Sequence, residues 1–437
     1  MKHSLWIGIL FCLPFAGFTQ NEVTIEEAIQ IGLQKNYDIL VQRKTADLAG
    51  NDNRFAFGAF LPAINANGTY SKNNNNSRNI TFADVETVRE GAKSTNTNGQ
   101  VQLLWTIFDG TKMFATRKRI EELAVLGEVN TRNQMMNTTA SIISNYYNIT
   151  RQKQQLKAVR ELMAVSEERV KLAERKLEVG TGGKPELLQA QVDLNSQRTA
   201  VLLEEALIQQ LKDQLNGALG MQLPDVFDVA DTIPLNLDLT MEEILTGIEG
   251  TNQALLAQKK NIDVANLVLR ENRATRSPII SLVGAYNFNR SENELATSPI
   301  AQKFTQNNGY NYGATVSIPI MNQMNVNRLI GAAKINLERQ RVIYGQQLTI
   351  ATVGVRNAFS NYDYARKSLM IQEQNILLAK ENVYIALEGF KRGITTALDL
   401  RTAQQSLADA YNQLIVARYN AKISETELLR LKGALLK

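Results

Sequence analysis

The chain is written twice. Phe60-Leu61-Pro62, Ser144-Asn145-Tyr146, Val179-Gly180 and Glu186-Leu187 with Ala190-Gln191 recur in the same order as Arg276-Ser277-Pro278, Ser360-Asn361-Tyr362, Arg392-Gly393 and Asp399-Leu400 with Ala403-Gln404. The prolines and the Ser-Asn-Tyr triplets are 216 residues apart, and the glycines and acidic-Leu pairs 213. Whatever this sequence folds into must accommodate two copies of one design about 200 residues long. The expected division is a first repeat at 20–220, a linker at 221–239 and a second repeat at 240–437.

Each copy orders its elements alike. In the first, a helix is expected over 24–57 and ends before Pro62, which removes a helical N–H and biases its neighbour toward extended geometry. Two strand-like stretches follow, separated by a polar loop at 73–96. From 110 to 178 nothing stops a helix, which gives roughly 100 Å at 1.5 Å per residue. A Gly-rich turn at 180–184 then precedes Pro185 at a first helical position and a return helix to about 218. The second copy runs through a helix at 240–274, strands near 279–289 and 310–320, a helix at 323–391, a turn at Gly393 and a return helix to about 434.

The long helices carry a coiled-coil period. Leu156, Val159, Met163, Ser166, Val170, Ala173 and Leu177 are spaced 3-4-3-4-3-4, as are Leu369, Gln372, Ile376, Ala379, Val383, Ala386 and Phe390. Leu400, Ala403, Leu407, Ala410, Leu414 and Ala417 continue the pattern in a return helix. Large residues alternate with Ala or Ser, so neighbouring helices can approach closely. A solvent-exposed coiled-coil rod would carry the same period.

The extended stretches have period 2. Ile64, Ala66, Gly68 and Tyr70 alternate with Asn65, Asn67, Thr69 and Ser71, while Val101, Leu103 and Trp105 alternate with Gln100, Gln102 and, less cleanly, Leu104. In the second copy Leu282, Gly284, Tyr286 and Phe288 share one face, as do Tyr310, Tyr312, Ala314, Val316 and Ile318. Stretches of about 9 to 11 residues suffice to cross a bilayer when tilted. An apolar face with Tyr and Trp near its ends, opposite a small polar face, suits a lipid-facing exterior and a watery lumen. Four strands cannot close, because membrane barrels begin at about eight. A trimer sharing twelve is the economical cyclic solution.

Composition removes most alternatives. The 437 residues contain one His and one Cys, His3 and Cys12. Both fall in an N-terminal segment, Lys2 and His3 followed by an apolar run from 5 to 18, that reads as an export signal cut after Thr19. Without it the chain has no His/Cys metal site, no Ser-His-Asp triad, no thiol nucleophile and no disulfide. No enzyme activity, cofactor, metal or catalytic residue is expected. Net charge is +5 with pI about 9.0, yet Lys and Arg are scattered among Asp and Glu, so no nucleic-acid partner is expected. Gly180-Thr181-Gly182-Gly183-Lys184 is not a phosphate loop, since Pro185 stands where Ser or Thr is required and no buried parallel strand precedes it.

The duplication, the Phe60-Leu61-Pro62 and Ile107-Phe108-Asp109-Gly110 junctions with their counterpart Ile320-Met321-Asn322-Gln323, and the turns Val179-Gly180-Thr181 and Gly393-Ile394-Thr395, each with an acid six residues after its glycine, together resemble the TolC family of outer-membrane efflux proteins. The resemblance spans essentially the whole mature chain. It implies a mostly α fold with membrane β: a trimeric 12-stranded outer-membrane β-barrel, four strands per chain, continued by a long periplasmic α-helical barrel of coiled-coil hairpins. The implied function is a passive exit duct for small toxic compounds. The implied partners are a periplasmic adaptor, an inner-membrane transporter of the resistance-nodulation-division or ABC type, and outer-membrane lipid.

By the same resemblance Gly180, Thr181, Gly393, Ile394 and Thr395 form the adaptor-contact tips, and Glu186, Phe390, Asp399 and Thr402 surround the periplasmic aperture. Three copies of the two acids would put six carboxylates around a narrow opening. Glu186 and Asp399 equally suit plain helix capping, Thr396 with Asp399 fitting the capping-box pattern. The family's gate network uses an aromatic, an Arg and a second Asp where this chain has Phe390, Thr395 and Thr402, so other contacts are expected to hold the closed state. Two further readings stay open at this point: the outer channel of a type I protein secretion system, and a periplasmic coiled-coil scaffold with no pore.

Overall fold

The computed structural model describes residues 22–224, 226–294, 302–321 and 323–436. The expected export signal, and Asn322 at the second strand-to-helix junction, lie outside them. In chain order the elements are β1 (Glu22–Val23), α1 (Ile25–Lys35), α2 (Tyr37–Phe55), β2 (Ala63–Ile80), β3 (Glu86–Phe108), α3 (Lys112–Glu178), α4 (Lys184–Ala218), β4 (Asp228–Val229), α5 (Met241–Leu245), α6 (Ile248–Thr251), α7 (Gln253–Ala274), β5 (Ile279–Asn293), β6 (Phe304–Ser317), α8 (Asn325–Lys391) and α9 (Ala397–Lys432). They form two units, one built from the chain up to 42, 131–253 and 349 onward, the other from 43–130 and 254–348.

Both long helices run 67 residues without a break. The helices expected over 24–57 and 240–274 are instead interrupted, the second also at the left-handed Gly247 (φ +82°) between α5 and α6, and both share one asparagine device. Asn36 has extended backbone (ψ 128°), and its side-chain oxygen accepts the N–H groups of Asp38 at 3.0 Å and Ile39 at 3.2 Å, so α1 stops and α2 starts there. Its amide nitrogen donates to the Ala218 carbonyl at 2.8 Å, at the end of α4. Asn252, 216 residues later, is buried at the α6–α7 break and donates to the Leu431 carbonyl at 3.0 Å, at the end of α9. Each asparagine satisfies a carbonyl that a helix end leaves without an intrahelical partner.

In the first unit β1 pairs in parallel with β4. The tyrosines of the two Ser-Asn-Tyr triplets hold the connecting segment. The hydroxyl of Tyr146 donates to the Val23 carbonyl at 2.8 Å and accepts the Ala230 N–H at 3.0 Å. The hydroxyl of Tyr362 donates to the Asn236 carbonyl at 2.9 Å and accepts the Leu239 N–H at 3.4 Å. Both side chains are among the most deeply buried, and burial pushes both phenols above their ordinary range. Tyr146→Phe would strand two backbone groups, and we expect it to cost about 2 kcal/mol. A denaturation midpoint unchanged from wild type would refute that role.

The heptad seams pack as their spacing predicts. Leu369, Ile376, Val383 and Phe390 of α8 bury against Leu400, Ala403, Leu407 and Leu414 of α9, while Val170 and Ala173 of α3 meet Ala190 and Leu194 of α4. Leu177, at the end of the first seam, is exposed.

In the second unit the four long strands form one antiparallel sheet in the order β2-β3-β5-β6. They are longer than expected, at 18, 23, 15 and 14 residues, and the polar segment expected as a loop at 73–96 is mostly strand. Asn, Ser and Thr pair through backbone as well as apolar residues do. Where both faces are polar, alternation no longer marks the strand. The true turn is at 81–85, closed by the Thr81 N–H on the Val85 carbonyl at 3.0 Å. Beneath the sheet Ala265 and Leu269 of α7 pack on Ile330, Ala333 and Leu337 of α8. Among the described residues no helix is long and apolar enough to cross a membrane.

Candidate functional site: a two-faced sheet and two hairpin tips

Strand pairing carries the period-2 pattern across all four strands, except that the row Ala63-Leu104-Val283-Gly313 is apolar on the otherwise polar face. Ile64, Leu103, Gly284 and Tyr312 stand in one row, and Ala66, Val101, Tyr286 and Tyr310 in the next on the same face. Trp105, Leu282 and Ala314 extend that face. The intervening rows are Asn65-Gln102-Ala285-Asn311 and Asn67-Gln100-Asn287-Gly309. A one-residue slip at any pairing would mix the faces, so the register is specified by the segregation itself. On the polar face Gln100 donates to Asn287 at 3.0 Å, and Asn287 donates to Asn311 at 3.0 Å, an uncharged amide chain crossing three strands.

The apolar residues from Ile280 to Phe288 rise roughly 20 Å at about 3.3 Å per residue and a tilt of about 40°, of the order of the apolar band of a membrane barrel. The Trp105 indole donates to the Phe60 carbonyl at 2.9 Å, fixing an interfacial aromatic at the helical end of that band. Among the described residues β2 and β6 each have a neighbour on one side only, which leaves two open edges.

The two tips close by one backbone motif. At Gly180 (φ +77°) and Gly393 (φ +75°) the chain enters the left-handed region that glycine adopts without strain. The next N–H then reaches back over the helix end, Thr181 to the Lys176 carbonyl and Ile394 to the Gly389 carbonyl, both at 2.9 Å. At the second tip the Thr395 hydroxyl donates to the Ala386 carbonyl at 3.0 Å. Ile394, Val179 and Leu398 remain exposed.

The four residues expected at the aperture are placed differently from one another. Asp399 forms the capping box: its carboxylate accepts the Thr396 N–H at 2.9 Å and hydroxyl at 2.7 Å, and its own N–H donates to the Thr396 oxygen at 3.1 Å. The Thr396 hydroxyl, then its N–H, hold this carboxyl below the usual range, so the cap is complete above the ordinary carboxylate pKa and is lost as pH falls through the lowered one. Glu186 lies in the first turn of α4, where it complements the helix dipole. Thr402 donates to the Leu398 carbonyl at 3.0 Å. Phe390 is in the seam between α8 and α9, with the Lys176 ammonium 3.6 Å from its ring centroid.

Two features were not anticipated. Arg169 on α3 is 3% exposed and donates to Asp193 on α4 at 2.8 Å, while Gln189 donates to the same carboxylate at 2.9 Å and Arg401 on α9 reaches it at 3.5 Å. This ion cluster joins both hairpins. In addition α8 has a second apolar stripe. Tyr364, Ile371, Leu378 and Ile385 repeat every seven residues, flanked by Met370, Leu377 and Tyr384, and all seven are exposed. That second heptad is visible in the sequence, two positions beyond the Leu369-Ile376-Val383 seam.

The family model for outer membrane efflux proteins matches residues 28–221 and 248–434. The outer membrane efflux protein BepC of Brucella suis is 24% identical over 345 residues, covering 78% of this chain and 73% of that protein. The outer membrane protein TolC of Escherichia coli is 22% identical over 446 residues, covering 98% and 86%. The crystal structure of the outer membrane protein VceC from Vibrio cholerae aligns with a TM-score of 0.75 at 15% identity, over 94% of this chain and 96% of that one.

Proposed function

The chain belongs to the outer membrane efflux protein family, and on that premise we propose that three copies close one 12-stranded barrel in the outer membrane and continue it as a tube of helical hairpins in the periplasm. The single observation that carries this reading is the sheet: outside the row Ala63-Leu104-Val283-Gly313 its register separates an apolar from a neutral polar face across all four strands, and among the described residues its two edges are unpaired. Lipid does not tolerate open edges, so the missing neighbours are supplied by sister subunits. The exposed heptad on α8 supports the same conclusion, since a helix apolar on two faces needs two partners.

The duct is passive. Small toxic compounds enter at the hairpin tips from an inner-membrane transporter, through a periplasmic adaptor that seats on Gly180, Thr181, Gly393, Ile394 and Thr395. Opening follows when the adaptor favours the dilated arrangement, because a ligand shifts an equilibrium only by its differential affinity for the two states. The two repeats, 20–220 and 240–437 joined by 221–239, supply alternate hairpins of the tube. Purified protein should run as a heat-modifiable trimer extracted only by detergent and should conduct ions in planar bilayers. A freely dissolved monomer without conductance would sink the reading.

At the aperture Asp399 serves both capping and selectivity, together with Glu186. Asp399→Ala is expected to weaken cation preference and divalent block severalfold in single-channel recordings. Unchanged selectivity and block would restrict Asp399 to its capping box.

A further inference from the structure

The chain's charge is unevenly placed. The segments that join helices to strands, residues 50–60, 109–119, 268–278 and 323–334, hold ten Lys or Arg against three Asp or Glu, while the whole chain has a net charge of only +5. These segments lie at the helical end of the apolar band, where lipid headgroups meet water.

Between the start of α3 and the end of α7 they line an open cavity of about 450 Å³, with Thr111, Phe114 and Lys118 on one wall and Arg270, Arg273 and Ser277 on the other. Lys118 is already engaged, by Glu121 at 3.0 Å and Glu122 at 3.5 Å, and the neighbouring Arg119 is taken by Glu271 at 2.8 Å. Arg270 and Arg273 are exposed, and among the described residues neither meets a carboxylate. Two unpaired guanidiniums beside two hydroxyls suit a ligand with several anionic oxygens.

The cavity's aromatic wall leads toward lipid. The Phe114 ring centroid is 5.1 Å from that of Phe60, Arg117 lies over the Phe60 ring at 6.0 Å, and the Phe60 carbonyl accepts the Trp105 indole N–H. Trp105 in turn stands on the apolar face of the sheet beside Leu282. An amphiphile with its tail along Trp105 and Leu282 therefore has its headgroup at the arginines.

We propose that this cavity binds the phosphate of an anionic phospholipid in the periplasmic leaflet, with Arg270 and Arg273 as the phosphate ligands and the Phe60-Phe114 pair against the first part of the acyl chains. The site rests on the outer-membrane reading above. It anchors the barrel at a fixed depth through the protein's own headgroup contacts.

The test is native mass spectrometry of the full-length, detergent-solubilised channel titrated with phosphatidylglycerol, phosphatidylethanolamine or inorganic phosphate, with conductance recorded on the same preparations. Wild type should retain phosphatidylglycerol over phosphatidylethanolamine. Arg270→Gln with Arg273→Gln should lose that retention by about tenfold or more, given the worth of two cations at an anionic lipid surface. The corresponding double Lys variant should keep most of it, and single Arg273→Gln provides the same reading should the double variant assemble poorly. Equal phosphatidylglycerol retention by wild type and the Gln variants overturns the proposal, as does displacement of the lipid by equimolar inorganic phosphate. A preparation that conducts without selective retention refutes the lipid site alone. One that retains the lipid without conducting refutes the channel reading alone.

Discussion

Arginine at Leu103 is expected to destabilise the assembled barrel by about 2–4 kcal/mol per chain, the cost of a cation at the bilayer midplane. Leu103 sits in the central row of the apolar face, between Ile64 and Gly284. Closure multiplies the penalty, because three copies carry the substitution in one barrel. The heat-modifiable trimer band should nearly vanish from the outer-membrane fraction. Gln102→Arg moves the same charge one residue along the strand and onto the opposite face, in the row with Asn65 and Asn311. There it meets water and amides, so the trimer should persist at close to wild-type levels and conductance should shift toward anions. Equal loss of trimer from both variants would mean that the polar face does not line a lumen.

That contrast can be drawn from sequence because strand period 2 and helix period 3.5 are strong signals over long segments. Period 2 puts Tyr286 on one face with Leu282, Gly284 and Phe288, and the register keeps it in a row with Val101 and Tyr310 on that face. The long helices were equally legible, since nothing between 112 and 178 interrupts one. Asn36 and Asn252 break helices through side-chain bonds to the Ala218 and Leu431 carbonyls, partners roughly 180 residues away that local propensity cannot register. Their common offset of 216 was the available clue. The two-residue strands β1 and β4 are too short to carry a period. Beyond the apolar band, β2 and β3 run on through Asn, Ser and Lys, where no burial contrast separates a strand from a loop. Of the site residues, the turn glycines and the Thr396-Asp399 box were readable as local backbone chemistry. The ion cluster at Asp193 was not, because its members come from three helices.

That cluster has the other large expected effect. Asp193→Ala leaves the Arg169 guanidinium buried without its carboxylate, and removing one partner of a buried pair costs about 3–5 kcal/mol. Among the described residues the Arg169 Nε has no acceptor even in the intact cluster, so the loss of Asp193 is not offset there by a bond already in place. The thermal midpoint of the helical portion should fall by several degrees, read from far-UV circular dichroism. Arg401→Ala should do far less, under about 1 kcal/mol, because the Arg401 side chain is 54% exposed and 3.5 Å from the carboxylate. The decisive variant is the double one. Asp193→Leu with Arg169→Met removes both charges at similar volume and should restore most of the stability, since a buried ion pair is often no better than an apolar pair of the same size. Recovery would locate the cost of Asp193→Ala in the stranded charge. A double variant as unstable as Asp193→Ala would instead place the cost in the hydrogen bonds from Gln189 and in the packing of α3 on α4.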